Sequence, residues 1–178
     1  MKAKRLLKLI IAPIKMAYAY LYPVSYAISV GVNCNSSIRI YGTSYYMFGA
    51  EPYLVTFGQN VHISRDASFI CHDGATLPFR KDIPDLELAG EIKVGSNVFI
   101  GKGAVVLANV SIGNDCIVGA HAVVTKDVDD GNVVAGNPAK VIKTTEKYLE
   151  DAQRRSLKIG HLTGKDKMIA YKKIFNKE

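Results

Sequence analysis

A mainly β fold of stacked triangular coils, with helical segments at both ends, is what this 178-residue sequence predicts. Three observations carry the prediction. Over residues 94–128 an aliphatic residue returns at every sixth position, as Val94, Ile100, Val106, Ile112, Val118 and Val124. The fifth place of each unit holds Val98, Ala104, Val110, Cys116, Ala122 and Val128, so larger and smaller apolar residues alternate in fixed register. Glycine follows the aliphatic residue at Gly95, Gly101, Gly113 and Gly119. A beat of six matches neither the helix period of about 3.6 nor the strand period of about 2. It is an internal repeat in which each unit supplies one short strand and one turn. The aliphatic residue points inward, the fifth residue fits near the corner, and Gly, Asn or Asp supply the turn. Three units close a coil of about 18 residues, whose flat faces are buried only by stacking on further coils and by caps at the ends.

Residues 1–27 read as helical, with Pro13 and Pro23 limiting the helices. The start is basic and then apolar, as in a signal peptide, but Lys8, Pro13 and Lys15 interrupt it. The run falls far short of the ~20 clean residues of a spanning helix, and Ala17-x-Ala19 is a weak cleavage match. The same residues suit an amphipathic helix that packs on the repeat domain, the preferred reading, or touches an anionic membrane face through residues 1–22. Short aliphatic beats between Asn and Ser over residues 30–42 suit brief strands. "FGQNVHISRDASFI" then restores the six-residue beat at Phe57, Ile63 and Phe69.

The beat stops at His72. Residues 72–93 hold Pro78, Pro84 and mixed charges and read as a loop inserted into the repeat, and a long loop inside a compact domain is more often functional than accidental. Asp130-Gly131 and Asn137-Pro138 mark turns that close the stack, and from about Thr144 the chain is charged, helix-prone and basic. The expected organisation is a helical segment at 1–27, a repeat β-helix at 28–143 with its inserted loop at 72–93, and a helical tail at 144–178.

This length suits one domain. Twenty-three Lys and Arg against 16 Asp and Glu give a net charge of +7, which fits an anionic partner or plain solubility without choosing between them. Cys34, Cys71 and Cys116 are an odd number without C-x-x-C spacing, so neither a disulfide framework nor a structural zinc site is indicated, and a reducing compartment fits.

The beat of aliphatic-Gly-x-x-apolar-x, together with the closing "VVTKDVDDGNVVAGNPAKVIK", resembles the hexapeptide-repeat acyltransferases over about residues 30–143. Within them, "FICHDG" followed by a loop and then "IKVGSNVFIGKGAVV" is most similar to the maltose, galactoside and capsular-polysaccharide O-acetyltransferases. The resemblance implies a left-handed parallel β-helix, a handedness that comes from the family alone, since parallel crossovers are generally right-handed. It implies a CoA-dependent O-acetyltransferase that moves an acetyl group from acetyl-CoA to a hydroxyl of a sugar or glycan. It also implies a homotrimer with active sites between subunits, a cytoplasmic location where the donor is found, and no nucleic-acid partner.

Acyl transfer to an alcohol needs a base, and imidazole, with an ordinary pKa of about 6.5, suits it. His72 is the candidate. In the resembling enzymes a histidine at this place is the general base of a direct transfer; the alternative is a histidine capping a turn. Cys71 precedes it and, by strand alternation, should point inward as a buried apolar residue. Asp73 either orients the base, binds an acceptor hydroxyl or simply makes a turn. Arg80 stands where the resembling enzymes carry an arginine near the acceptor, or is a solvated loop charge. For the donor, Gly101 and Gly119 either admit the pantetheine arm or serve only as turn residues. The resemblance puts Lys126 and Lys140 near the CoA phosphates, Asn137 near the adenine and Phe99 beside the thioester.

Two other readings remain. A zinc enzyme of the gamma carbonic anhydrase kind needs converging imidazoles, and His62, His72, His121 and His161 lack the close pair of that class, so no metal is expected. A non-catalytic β-helix scaffold would have no affinity for CoA.

Overall fold

A computed structural model describes residues 2–177, with side chains from Ile11 onward. The chain forms two compact units, Met1–Thr145 and Glu146–Glu178. In the first, helices α1 (Lys2–Leu21) and α2 (Pro23–Ser29) precede the strands. These are β1 (Arg39–Ile40), β2 (Val55–Phe57), β3 (His62–Ile63), β4 (Ser68–Ile70), β5 (Ile92–Val94) and β6 (Phe99–Ile100). They continue as β7 (Val105–Leu107), β8 (Ser111–Ile112), β9 (Ile117–Val118), β10 (Val123–Val124), β11 (Asn132–Ala135) and β12 (Lys140–Thr144).

Three sheets result: a first of order β2-β5-β8, a second of order β1-β3-β6-β9-β11-β12 and a third of order β10-β7-β4. From β2 to β10 the chain visits the first, second and third sheets in rotation, which is a parallel β-helix of triangular section. Val94 pairs with Ile112, Ile100 with Val118 and Val106 with Val124, each 18 residues on, so three hexapeptides make one coil. Phe57 pairs with Val94, and Phe69 with Val106, 37 residues on, so the inserted loop adds its length between two coils and the beat resumes in phase.

The six inward aliphatic residues from Val94 to Val124 are each 3 % exposed or less. Lower in the stack, Phe48, Phe57 and Phe69 fill the interior, with ring centroids of Phe57 and Phe69 5.1 Å apart. Repeat glycines answer to stacking rather than to backbone angle. A Cβ on Gly101 would lie 2.5 Å from the Ala120 nitrogen, and one on Gly95 2.8 Å from the Gly113 carbonyl carbon, both in the next coil. Gly101→Ala should therefore destabilise the protein by about 1–3 kcal/mol through overpacking, read as a lowered Tm; an unchanged Tm would contradict this account of the glycine. At one corner Asn60, Asn97 and Asp115 all take left-handed backbone angles, which Asn and Asp tolerate. Their side chains link the coils, Asn60 Nδ2 donating to Asn97 Oδ1 and Asn97 Nδ2 to Asp115 Oδ1, both at 3.0 Å.

Two sequence expectations change. Val128 pairs with Ile112 and Val134 with Val118, only 16 residues on, so the last coil is two residues short and Val128 takes the large inward place, not the fifth. Antiparallel β12 then covers β11 and ends the stack. Pro13 does not end a helix: α1 runs through it. Proline costs one backbone bond there, and the uninterrupted turns on either side supply the rest of the ladder. Pro23 does open α2, at its first turn. Ala19 and Ala27 are fully buried, and the Ser44 hydroxyl donates to the Pro23 carbonyl at 2.9 Å, tying the helices to the loop before β2. The second unit holds α3, which begins at the boundary residue (Thr145–Arg155), and α4 (Gly164–Ile174). Among the described residues no helix is long and apolar enough to cross a membrane.

Candidate active site

Where β4 ends, strand alternation turns Cys71 into the core and His72 outward. Burial, and then the Glu51 charge, raise the Cys71 thiol pKa, so it is a poor thiolate. The inserted loop leaves and returns at one place: His72 bridges Ala89, Gly90 N–H donates to the Cys71 carbonyl at 2.8 Å, and Asp73 N–H to the Leu88 carbonyl at 2.8 Å.

The loop is held from within. Asp73 Oδ1 accepts from Ala75 N–H at 2.9 Å and caps a 3-10 helix at Gly74–Phe79. Arg80 Nε donates to the Leu86 carbonyl at 2.8 Å, and its Nη2 reaches Thr76 Oγ1 at 3.2 Å and pairs with the Glu87 carboxylate. Both residues thus have structural partners inside the loop.

The partner of His72 is Glu51, whose Oε2 lies 2.6 Å from His72 Nδ1. Glu51 precedes the short 3-10 helix Pro52–Leu54 that leads into β2. The hydrogen bond that Glu51 accepts from His72, then its charge, raise the His72 pKa above the ordinary histidine value; Glu87 adds to the rise, while desolvation and Arg80 oppose it. An ionised carboxylate only accepts, so the Nδ1 position carries the hydrogen and the neutral ring keeps Nε2 as its acceptor. Sequence periodicity could not find Glu51, which lies in the irregular stretch before the coils. One signal was available: Glu51 is the only acidic residue before Asp66.

His72, 41 % exposed at its side chain, borders a cleft of about 520 Å³ together with Ile70, Asp73, Leu88, Leu107 and Asn109. The walls are apolar and the polar groups few, the usual make-up of a small-molecule site. Lys126 is exposed two residues beyond β10, at the same corner of the prism as the end of β4 and two coils along, or about 10 Å at the usual strand spacing.

The other expected donor residues lie elsewhere on the chain. Gly101 and Gly119 stand at the corner between the second and third sheets, and the turn that holds exposed Asn137 joins them there, its flanks bonded to Val123. Lys140 opens β12, and Phe99 lies half-exposed on the second sheet between His62 and Ile117. Within one chain, then, His72, Asp73 and Lys126 share a corner, while Phe99, Gly101, Gly119 and Asn137 lie across the width of a sheet, about 20 Å for six extended residues, and one to three coils further along the stack than His72.

Among the described residues no three His, Cys, Asp or Glu side chains group to hold a metal ion. His62 lies between the Tyr41 hydroxyl at 2.8 Å and Asn60 Oδ1 at 3.1 Å, and His121 occupies a left-handed turn position with Gly103 against its ring.

The family description "Bacterial transferase hexapeptide (six repeats)" matches residues 91–126, the regular coils just described. The chain belongs to the bacterial transferase hexapeptide family. Among curated proteins it is 43 % identical over 119 residues to Protein CapG of Staphylococcus aureus, covering 67 % of this chain and 69 % of that one. Solved structures share the fold. A hexapeptide-repeat acetyltransferase of Vibrio cholerae aligns over 79 % of this chain and 92 % of its own at 16 % identity, with a TM-score of 0.57. A maltose O-acetyltransferase of Clostridium difficile aligns over 67 % and 73 % at 21 % identity, with a TM-score of 0.50. A serine acetyltransferase of Brucella abortus, solved in complex with coenzyme A, aligns over 64 % of this chain but only 40 % of its own, at 23 % identity and a TM-score of 0.51.

Proposed function

We propose that this protein transfers the acetyl group of acetyl-CoA directly to a hydroxyl of a sugar or glycan, with His72 as general base. The observation that carries the reading is the Glu51–His72 pair at the edge of the cleft, in a chain of the bacterial transferase hexapeptide family. Glu51 fixes the tautomer, and His72 Nε2 takes the acceptor's hydroxyl proton as that oxygen attacks the thioester carbonyl. The new ester C–O bond forms, the C–S bond breaks, and the imidazolium returns the proton to the departing sulfur. Cys71, buried and poorly ionised, is not a covalent carrier. The printed names of a maltose O-acetyltransferase and of a coenzyme A complex among the fold's neighbours agree with such an acceptor and donor.

Lys126 and Lys140 are assigned to the CoA phosphates, Asn137 to the adenine end, and Phe99, Gly101 and Gly119 to the pantetheine arm and thioester. Asp73 and Arg80 are assigned to the acceptor side, where Arg80 acts chiefly by holding the loop. Because Phe99, Gly101, Gly119 and Asn137 lie across a sheet from His72 and Lys126 within one chain, we place the site between subunits, where one chain's base meets its neighbour's donor residues, and infer a homotrimer as the closed assembly. The reaction is assigned to the cytoplasm, where acetyl-CoA is available.

Titration calorimetry with acetyl-CoA tests the reading without knowledge of the acceptor. Micromolar binding is expected, and Lys126→Ala should weaken it about tenfold by removing a charge-assisted phosphate contact. Absence of binding at millimolar acetyl-CoA would favour a non-catalytic scaffold instead.

A further inference from the structure

The sequence puts Lys2, Lys4, Arg5, Lys8 and Lys15 in or beside the first four turns of α1, and no Asp or Glu occurs before Glu51. Along the described part of the helix, Ile11, Ile14, Tyr18 and Leu21 fall at i, i+3, i+7 and i+10 and so share one face. Among the described residues that face is open to solvent: Ile14 is 66 % and Leu21 65 % exposed, and Ile11 and Tyr18 are each over a third exposed, whereas Ala19, well round the helix from them, is fully buried. The apolar face continues into a run of phenol rings. Tyr18 lies 5.7 Å from Tyr22 and 6.1 Å from Tyr26, Tyr26 lies 5.9 Å from Tyr45, and Tyr45 lies 4.6 Å from exposed Tyr46.

We propose that α1 docks the protein on an anionic lipid bilayer, lying in the plane of the surface with Ile11, Ile14, Tyr18 and Leu21 toward the acyl chains and its lysines at the headgroup phosphates. Twenty helical residues extend about 30 Å along the surface. The combination of an apolar stripe with cations alone is that of interfacial helices, and each basic residue adds attraction to an acidic leaflet. Tyrosine rings, apolar in body and polar at the tip, suit the headgroup level. A second copy of the chain is the poorer occupant, since two such helices would bring like charges together with no acidic residue among their first fifty to offset them. This inference goes beyond the proposed acetyl transfer and does not depend on its chemistry.

Co-sedimentation of the full chain with vesicles tests it. The protein should pellet with phosphatidylglycerol–phosphatidylcholine vesicles and not with phosphatidylcholine alone, and the binding should weaken as salt shortens the Debye length. Ile14→Glu, at an exposed position that leaves folding intact by circular dichroism, should lower the partition coefficient at least about tenfold. Acetyl-CoA binding by that variant should be unchanged, so that a failure of docking is separable from a failure of the catalytic reading. Equal binding to both vesicle types, no binding to either, or wild-type binding by Ile14→Glu would overturn the proposal. So would a fall in the mass of the Ile14→Glu variant by light scattering without any vesicle binding by the wild type, which would assign the face to another copy.

Discussion

His72→Ala is expected to lower acetyl transfer by about 10²–10⁴-fold, the usual worth of a positioned general base, while acetyl-CoA affinity stays within a few-fold. In the proposed mechanism the two effects separate, because the base acts on the acceptor's proton, whereas the donor would be held by phosphate contacts and the coil edges. Near-normal turnover in the variant would remove His72 from the mechanism. A matching loss of donor affinity would instead point to collapse of the loop, whose feet are joined at the His72–Ala89 bridge.

Glu51→Gln is expected to be nearly as informative. A glutamine keeps the shape but loses the charge, and its amide has a donor edge as well as an acceptor edge, so the imidazole is no longer held in one tautomer. A rate loss of about 10–10²-fold is expected, short of what a fully mis-set tautomer costs in a serine-protease triad. The pH profile distinguishes orientation from mere packing. If His72 is the base, as proposed, its neutral imidazole is the active form, so the rate should rise with pH through the His72 pKa. In the native protein the Glu51 hydrogen bond and charge, with help from Glu87, keep that pKa raised against the opposing pull of desolvation and Arg80. Glu51→Gln should therefore move the acid limb to lower pH, toward the ordinary histidine value. A variant that is slower with an unmoved limb would show that Glu51 only packs against the ring.

The coils were legible because their period is written in residues that must face inward, and each side chain from Val94 to Val124 is where the beat puts it. Break points were legible too, since His72 and the two prolines after it interrupt a pattern that resumes in phase at Val94. What the beat does not encode is which outward residues meet across distant segments. Glu51 reaches His72 from 21 residues away through an irregular stretch that no period describes. The slip at Val128 escaped for a related reason: a valine satisfies either place, and only its pairing with Ile112 decides which one it takes. Gly101 and Gly119 were legible as positions but not as reasons, because the atoms that forbid a side chain there belong to residues about one coil further on, Ala120 against Gly101 and Ala135 against Gly119.

The inserted loop starts and finishes against the same edge, and the coils on either side of it keep their phase. The loop is therefore a cassette: its length and composition can change while β4, β5 and the histidine at its root keep their positions. Selection can rewrite what enters the cleft without rebuilding the scaffold or moving His72, and, on the proposed function, grafting the loop of another family member between Asp73 and Ala89 should carry that member's acceptor preference with it.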